Sequence, residues 1–309
     1  VGAAYIGLDV GGTFLKSALV NEDGRLLERG HEPIRKATAD ALLDQLASAA
    51  DWLSRGTEVA GVGVGLPGIV DAVTGEVRGA PNVPVLDGLA VGQALARRTG
   101  RPTVAENDAN AAALAESWVG AGRGGRLVFF VTLGTGIGGG IVWEGRVFTG
   151  TRGFAGEIGH VQVDPRGRPC GCGSWGCLET IAGSGGWVRR AEEALRTRDS
   201  TLRGRPLDPE VITHAARQGD AVALDVVDGA AAALGTGLGM ALDLLNPDRV
   251  VVGGGVAAAG AFLLERIVAE TRKRTFASVF AHCSFALAGL GGDAGVTGAA
   301  RAAMLGRPA

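Results

Sequence analysis

The chain has 309 residues, too many for one small hydrophobic core and suited to two domains. Hydrophobic residues make up 46% of it and charged residues 20%, with a formal net charge of −2. Such a balance excludes general attraction to nucleic acid or to an anionic membrane, and indicates a globular protein.

The opening stretch from Val1 to Asp9 has neither a basic segment nor an apolar leader core, so a cytoplasmic protein is expected. Residues 5–24 read as an apolar strand, a Gly/Thr turn, a second apolar strand and an acidic-Gly turn, which is a β-hairpin with a glycine-lined tip. Ala39–Ser54 carries Leu42, Leu43, Leu46, Ala50 and Leu53 at helical spacing. Val59–Leu66 reads as a buried strand. Pro102–Ala105 is another, ending at Glu106-Asn107-Asp108, and Ala109–Val119 continues as helix with an Asn or Asp placed to cap it.

The longest uncharged stretch, Leu127–Trp143, falls short of the ~20 residues of a membrane helix and is interrupted by glycines. It belongs instead to a second hairpin over residues 128–145, built like the first. The pair is an internal repeat half a chain apart and implies two similarly built domains facing one another. Further on, Trp187–Arg196, Pro209–Arg217 and Ala221–Leu245 read as helices. Arg249–Val252 is a strand running into Gly253-Gly254-Gly255, a helix follows from about Ala259, and Asp293–Leu305 is a last helix that could return to the first domain. Strands alternating with helices indicate an α/β fold with partly parallel sheets. The expected division is a small α/β domain over residues 1–108, completed by the C-terminal helix at about 293–309. A large α/β domain over 109–292 would carry the nucleotide contacts and a metal loop.

That loop is the densest motif of the chain. His160, Cys170, Cys172 and Cys177 fall within one short segment, with the cysteines at C-x-C-x(4)-C spacing. Three thiolates and an imidazole form a Cys3His zinc set, and four protein ligands leave no open position, so the metal should be structural. Glycines 167, 171, 173 and 176 let a tight loop wrap a small ion. An odd local number of cysteines and the absence of a leader argue against disulfides. Cys283 lies far away and reads as a small core residue. Glu157 and Glu179 bracket the loop without being needed to hold zinc, which suggests that the loop shapes a binding site.

Both hairpin tips are candidate phosphate cradles, Asp9-Val-Gly11-Gly12-Thr13 in the first and Gly134-Thr135-Gly136 with Gly138 in the second. Their glycines let backbone N–H groups approach phosphate oxygens, and the threonines add donors. A single glycine tip is most simply a tight turn, but a matched pair with Asp9 ending the first strand points to a nucleotide. Lys16 joins the nucleotide set, and Asp9 is placed to hold Mg²⁺. Gly134-x-Gly136-x-x-Gly139 formally matches the dinucleotide fingerprint, yet a strand follows where a helix is needed. No P-loop lysine motif occurs.

Glu106-Asn107-Asp108 sits at a strand–helix junction, a usual place for site residues in open α/β sheets. Taken alone, Asp108 could be a helix cap. Beside Asn82, Glu157, His160 and Glu179, a polar set suited to several hydroxyls, it becomes the best available base for phosphoryl transfer.

Together these motifs resemble the ROK sugar kinases, most closely bacterial ATP-dependent glucokinases, over essentially the whole chain. The resemblance rests on Asp9-Val-Gly-Gly-Thr13, Leu66-Pro-Gly68, Glu106-Asn107-Asp108-Ala-Asn110, Leu133-Gly-Thr-Gly-Ile-Gly-Gly139, Gly156-Glu157-Ile-Gly-His160 and Cys170-x-Cys172-Gly-x-x-Gly-Cys177-x-Glu179. It implies a two-domain actin-like ATPase fold around ribonuclease-H-like sheets, with ATP as donor and glucose or a related hexose as acceptor. It implies Asp108 as base toward the 6-hydroxyl, with Asn107, Glu157, His160 and Glu179, and more weakly Asn82, holding sugar hydroxyls. The hairpin tips would then hold the phosphates and Gly254-Gly255 would lie against adenosine. A homodimer or homotetramer is the implied assembly. Relatives often continue Asn-x-Pro with Gly-Trp, whereas here Asn82-Val-Pro84 runs into Val85-Leu86-Asp87. Other sugars (fructose, mannose, N-acetylmannosamine) are the alternative substrates. A sugar-responsive transcription regulator is the alternative from another class, although no DNA-binding helix-turn-helix is expected ahead of a first strand that begins so near Val1. Polyphosphate as donor is disfavoured because such relatives tend to lack the cysteine segment.

Overall fold

The computed structural model describes residues 2–306, so the last three residues of the expected C-terminal segment lie outside the described part. The first half of the chain contains β1 (Ala4–Val10), β2 (Phe14–Asn21), β3 (Leu26–Pro33), α1 (Ala39–Leu53), β4 (Val59–Leu66) and the short pair β5 (Ile69–Val70) and β6 (Val77–Arg78). α2 (Val91–Thr99), β7 (Thr103–Asn107) and α3 (Asp108–Val119) follow. The second half contains β8 (Leu127–Leu133), β9 (Ile137–Trp143), β10 (Arg146–Val147), α4 (Leu178–Ala182), α5 (Ser184–Leu195), α6 (Pro209–Arg217) and α7 (Ala221–Leu245). It closes with β11 (Arg249–Gly253), α8 (Ala261–Arg272), α9 (Ala277–Ala281), β12 (Ser284–Leu287) and α10 (Ala294–Leu305).

The first sheet runs β3-β2-β1-β4-β7. Its first three strands form an antiparallel meander, and β4 and β7 are added parallel to β1. The second sheet runs β10-β9-β8-β11-β12, with β10 antiparallel to β9, and β11 parallel to both β8 and β12. Both sheets therefore carry the ribonuclease-H-like order, a meander followed by two parallel strands, and the internal repeat expected from the hairpins extends to five strands each. The uncharged stretch 127–143 is the β8–β9 hairpin. Val128, Phe129, Phe130 and Val131 are all buried, as befits a central strand covered on both faces.

Local signals fix the helices. Thr38 caps α1, its hydroxyl accepting the Ala41 N–H at 3.1 Å, and Leu42, Leu43, Leu46, Ala50 and Leu53 line its buried face. Asp220 caps α7 by accepting two backbone N–H groups at 3.0 Å, and Asn246 in the left-handed region ends it. α7 is long and apolar enough to cross a membrane by length and composition, but most of its apolar stretch is buried within the protein, as in a core helix.

The chain divides into two compact units, one of Val1–Gly124, Gly140–Gly156 and Gly289–Ala309, the other of Gly125–Gly139 and Glu157–Ala288. The first unit extends past the expected boundary at 108 because α3 packs on α10. α10 also lies against β1 and β4, which gives the expected return of the C-terminal helix its physical form. The approach is close: a Cβ at Gly63 would overlap the Ala299 carbonyl, and one at Gly298 would overlap the Ala111 carbonyl. Cys283 departs from its expected place in the core, being only half-buried just before the edge strand β12.

Candidate functional site

In the first unit, the β1–β2 register pairs Asp9 with Lys16. Burial pushes the Asp9 carboxyl above its usual range while Lys16 pulls it down. The Lys16 ammonium also donates to the Gly292 carbonyl at 3.0 Å. Between the strands, the Gly11 N–H donates to the Phe14 carbonyl at 3.0 Å, closing a tip of Gly11, Gly12 and Thr13. Asn82 is exposed on a neighbouring loop. Asp87 closes that loop by accepting the Gly79 N–H at 2.8 Å, so the Val85-Leu86-Asp87 segment that follows Asn82-Val-Pro84 contains the loop's own fastener.

The β7–α3 junction is a network. Asn107 caps α3, its side-chain Oδ1 accepting the Asn110 N–H at 3.0 Å, and its Nδ2 donates to the Gly68 carbonyl at 2.9 Å. Glu106 accepts both the Asn107 N–H at 2.9 Å and the Asn110 side-chain amide at 3.0 Å. Asp108 is therefore not the cap. It is the first residue of the helix, exposed, with Oδ1 accepting the Ala109 N–H at 2.7 Å and the Asn107 amide at 3.1 Å.

In the second unit, the β8–β9 tip is braced by the Gly134 N–H donating to the Gly136 carbonyl at 2.9 Å. Oε2 of Glu179, on α4, accepts the Ile137 N–H at 2.9 Å, so one oxygen of this acid is engaged in positioning the tip. A Cβ at Gly136 would stand 2.6 Å from that same oxygen, so glycine is needed for the acid to reach the backbone. Gly254, at φ +88°, lies against the Leu133 carbonyl where any side chain would overlap it. Gly255 borders a cavity of about 540 Å³ lined by Arg205, Glu210, His214 and Arg217. Burial raises the Glu157 carboxyl above its usual range, with His160 pulling it down and Glu179 pushing it further up.

The cysteine loop folds back on itself, with Pro169 bridged to Trp175 and Gln162 to Cys177. This brings Cys172 Sγ to 3.7 Å from Cys177 Sγ, and Cys170 Sγ to 3.6 Å from His160 Nδ1. All four ligand atoms lie within 4.8 Å of one another. Zn–S bonds of ~2.3 Å and a Zn–N bond of ~2.0–2.1 Å at tetrahedral angles put sulfurs ~3.8 Å apart and sulfur and nitrogen ~3.5 Å apart, so the spacing fits zinc. Burial pushes the Cys177 thiol up to about 12, and a bound cation would have to displace that proton.

The sequence points to residues that divide between the two units. Asp9, Gly11, Gly12, Thr13, Lys16, Asn82, Asn107 and Asp108 fall in the first, and Gly134, Thr135, Gly136, Gly138, Glu157, His160, the three cysteines, Glu179, Gly254 and Gly255 in the second. It missed Lys36, whose ammonium reaches the Gly12 carbonyl at 2.6 Å. The only sequence signal was its rarity, since the chain has just Lys16, Lys36 and Lys273 as lysines.

The ROK family profile matches residues 5–304. A glucokinase of Halalkalibacterium halodurans is 38% identical across 95% of this chain and 93% of its own. Among solved structures, a ROK hexokinase from Thermus thermophilus superposes with a TM-score of 0.87 at 36% identity, covering 98% of both chains. A ROK family glucokinase from Streptomyces griseus, solved with glucose and AMPPNP, gives 0.82 at 36% identity, covering 98% of this chain and 100% of its own. With the profile spanning nearly its whole length and both sheets in the expected strand order, the chain belongs to the ROK family.

Proposed function

We propose that this chain transfers the γ-phosphoryl group of ATP to the 6-hydroxyl of glucose. The observation that carries this reading is at the start of α3, where Asn107 does the capping and holds the exposed Asp108 carboxylate at the strand–helix junction. An alcohol attacking phosphorus must lose its proton, and Asp108 is the base available there. As the sugar oxygen forms its bond to the γ-phosphorus, its proton passes to Asp108. The bond from phosphorus to the β–γ bridging oxygen breaks, and ADP leaves. Likeness to the glucokinases of H. halodurans and S. griseus supports both the donor and the acceptor.

In this reading Asn107, Glu157, His160 and Glu179 hold sugar hydroxyls, with Asn82 as a further contact. Gly11, Gly12, Thr13 and Lys16 in one tip, and Gly134, Thr135, Gly136 and Gly138 in the other, receive the phosphates. Gly254 and Gly255 lie against adenosine, and the cavity beside Gly255 has room for a base. Mg²⁺, held through Asp9, would neutralise phosphate charge. His160 Nδ1, Cys170, Cys172 and Cys177 would hold a structural zinc that would fix the loop, and His160 then keeps Nε2 for a hydroxyl.

A panel of hexoses at fixed Mg-ATP tests the proposal. Glucose should give the highest kcat/KM. Preference for fructose, mannose or N-acetylmannosamine would move the chain to another ROK kinase, and transfer to none of them would defeat the reading.

A further inference from the structure

Lys36 follows β3 and belongs to no strand or helix, yet its side chain joins two loops far apart in sequence. Its ammonium donates to the Gly12 carbonyl at 2.6 Å and to the Asn82 carbonyl at 3.1 Å. The first acceptor is in the β1–β2 tip and the second in the loop closed by Asp87. These loops also touch directly, since a Cβ at Gly12 would stand 3.4 Å from that of Asn82. A third link holds the chain just before Lys36, the Ile34 N–H donating to the Thr13 carbonyl at 3.0 Å.

We propose that Lys36 is a positioning residue that sets the spacing between the phosphate-binding tip and the acceptor loop. The proposal rests on the kinase reading above, in which Gly12 serves the donor and Asn82 the acceptor. Its physical basis is that a tip of two glycines and a threonine has little side-chain packing to hold its carbonyls in place, and both partner loops are solvent-accessible. A charged donor shared between two carbonyls is stronger than a neutral one, and it removes loop freedom that would otherwise have to be lost when substrates bind. An ammonium has three donors and the two carbonyls take two of them. In-line transfer depends on the donor and acceptor being held within a narrow range of separation, so a loosened clasp lowers turnover as well as affinity.

The test compares wild type, Lys36→Met and Lys36→Arg in the full chain. Hydrogen exchange comes first, because it requires no activity. In Lys36→Met, amides of residues 11–14 and 79–88 should exchange about tenfold faster while the β1–β2 ladder is unchanged. With glucose and Mg-ATP, Lys36→Met should lower kcat about tenfold and raise the sugar KM several-fold, and Lys36→Arg should recover most of both. A purely structural lysine would shift the unfolding midpoint without separating the two variants kinetically. Unchanged exchange at both loops overturns the proposal, and so do wild-type kinetics in Lys36→Met. Should the wild-type protein phosphorylate no sugar, the kinase reading fails on its own and the exchange experiment still decides whether Lys36 is the clasp.

Discussion

Asparagine at position 108 separates chemistry from folding at one atom. The Asp108 Oδ1 that accepts the Ala109 N–H at 2.7 Å and the Asn107 amide at 3.1 Å is retained in Asp108→Asn, and the cap on α3 is untouched because Asn107 supplies it. What the folded state loses is one negative charge in the first turn, worth about 0.3–1 kcal/mol against the helix dipole. What the reaction loses is its base, which contributes typically about 10²–10⁴-fold, or about 3–5 kcal/mol in the barrier. Asn107→Ala is the opposite perturbation. It removes the cap, costing about 0.5–2 kcal/mol, along with the bonds to the Gly68 carbonyl and to Asp108 Oδ1, while keeping the carboxylate itself and its bond from the Ala109 N–H. Continuous measurement of ADP formation, calorimetric glucose titration and urea unfolding on both variants should give opposite orders: Asp108→Asn worst in turnover, Asn107→Ala worst in stability. Sugar binding should persist in Asp108→Asn. Turnover of Asp108→Asn within about threefold of wild type would refute the assignment of the base, and an unfolding loss equal to that of Asn107→Ala would refute the cap argument.

Two further outcomes follow from the second unit. Metal analysis of the purified protein should find about one zinc per chain, and Cys172→Ser should lower it and reduce thermal stability, because the buried Cys177 thiol then lacks its neighbour at 3.7 Å. Metal-free protein with undiminished stability would contradict a structural zinc. The raised Glu157 carboxyl makes a pH prediction: its folded pKa lies above the unfolded value of ~4.3, so between the two the native state binds more protons than the unfolded one. Stability therefore falls as pH rises through that window, and the deficit persists above it. Glu157→Gln removes this term and should be more stable than wild type at pH 7 but not well below the window, while binding sugar less well. Unfolding curves at several pH values check this, and a variant less stable than wild type at neutral pH would oppose it.

The parts of the site legible in sequence were those whose chemistry is local. His160, Cys170, Cys172 and Cys177 fall within eighteen consecutive residues, so their spacing alone suggested a tetrahedral set, and the folded loop brings the four ligand atoms within 4.8 Å of one another. The strand–helix junction was legible because Asn and Asp at a helix start have few other purposes, although which of the two is the cap depended on the rotamers of Asn107 and Asp108. Lys36 was invisible, since nothing in Arg35-Lys36-Ala37 says that its ammonium meets carbonyls 24 and 46 residues away along the chain. The edge strand β3, mostly exposed, and the two-residue β10 offered no apolar pattern, because a strand paired on one side and wet on one face has little to bury.

Hydrophobic periodicity, glycine tips and ligand spacing depend on neighbours within a turn or a hairpin, so the repeated hairpins, the α/β alternation and the Cys3His grouping could be read from the residues alone. It took the folded chain to bring α10 onto β4 and α3 through glycine-thin contacts, and to commit one oxygen of Glu179 to the tip at Ile137. It also took the folded chain for Lys36 to join two loops. Each of these is a contact between residues distant in the chain, set by close packing and hydrogen-bond geometry, for which no short-range pattern exists to be read.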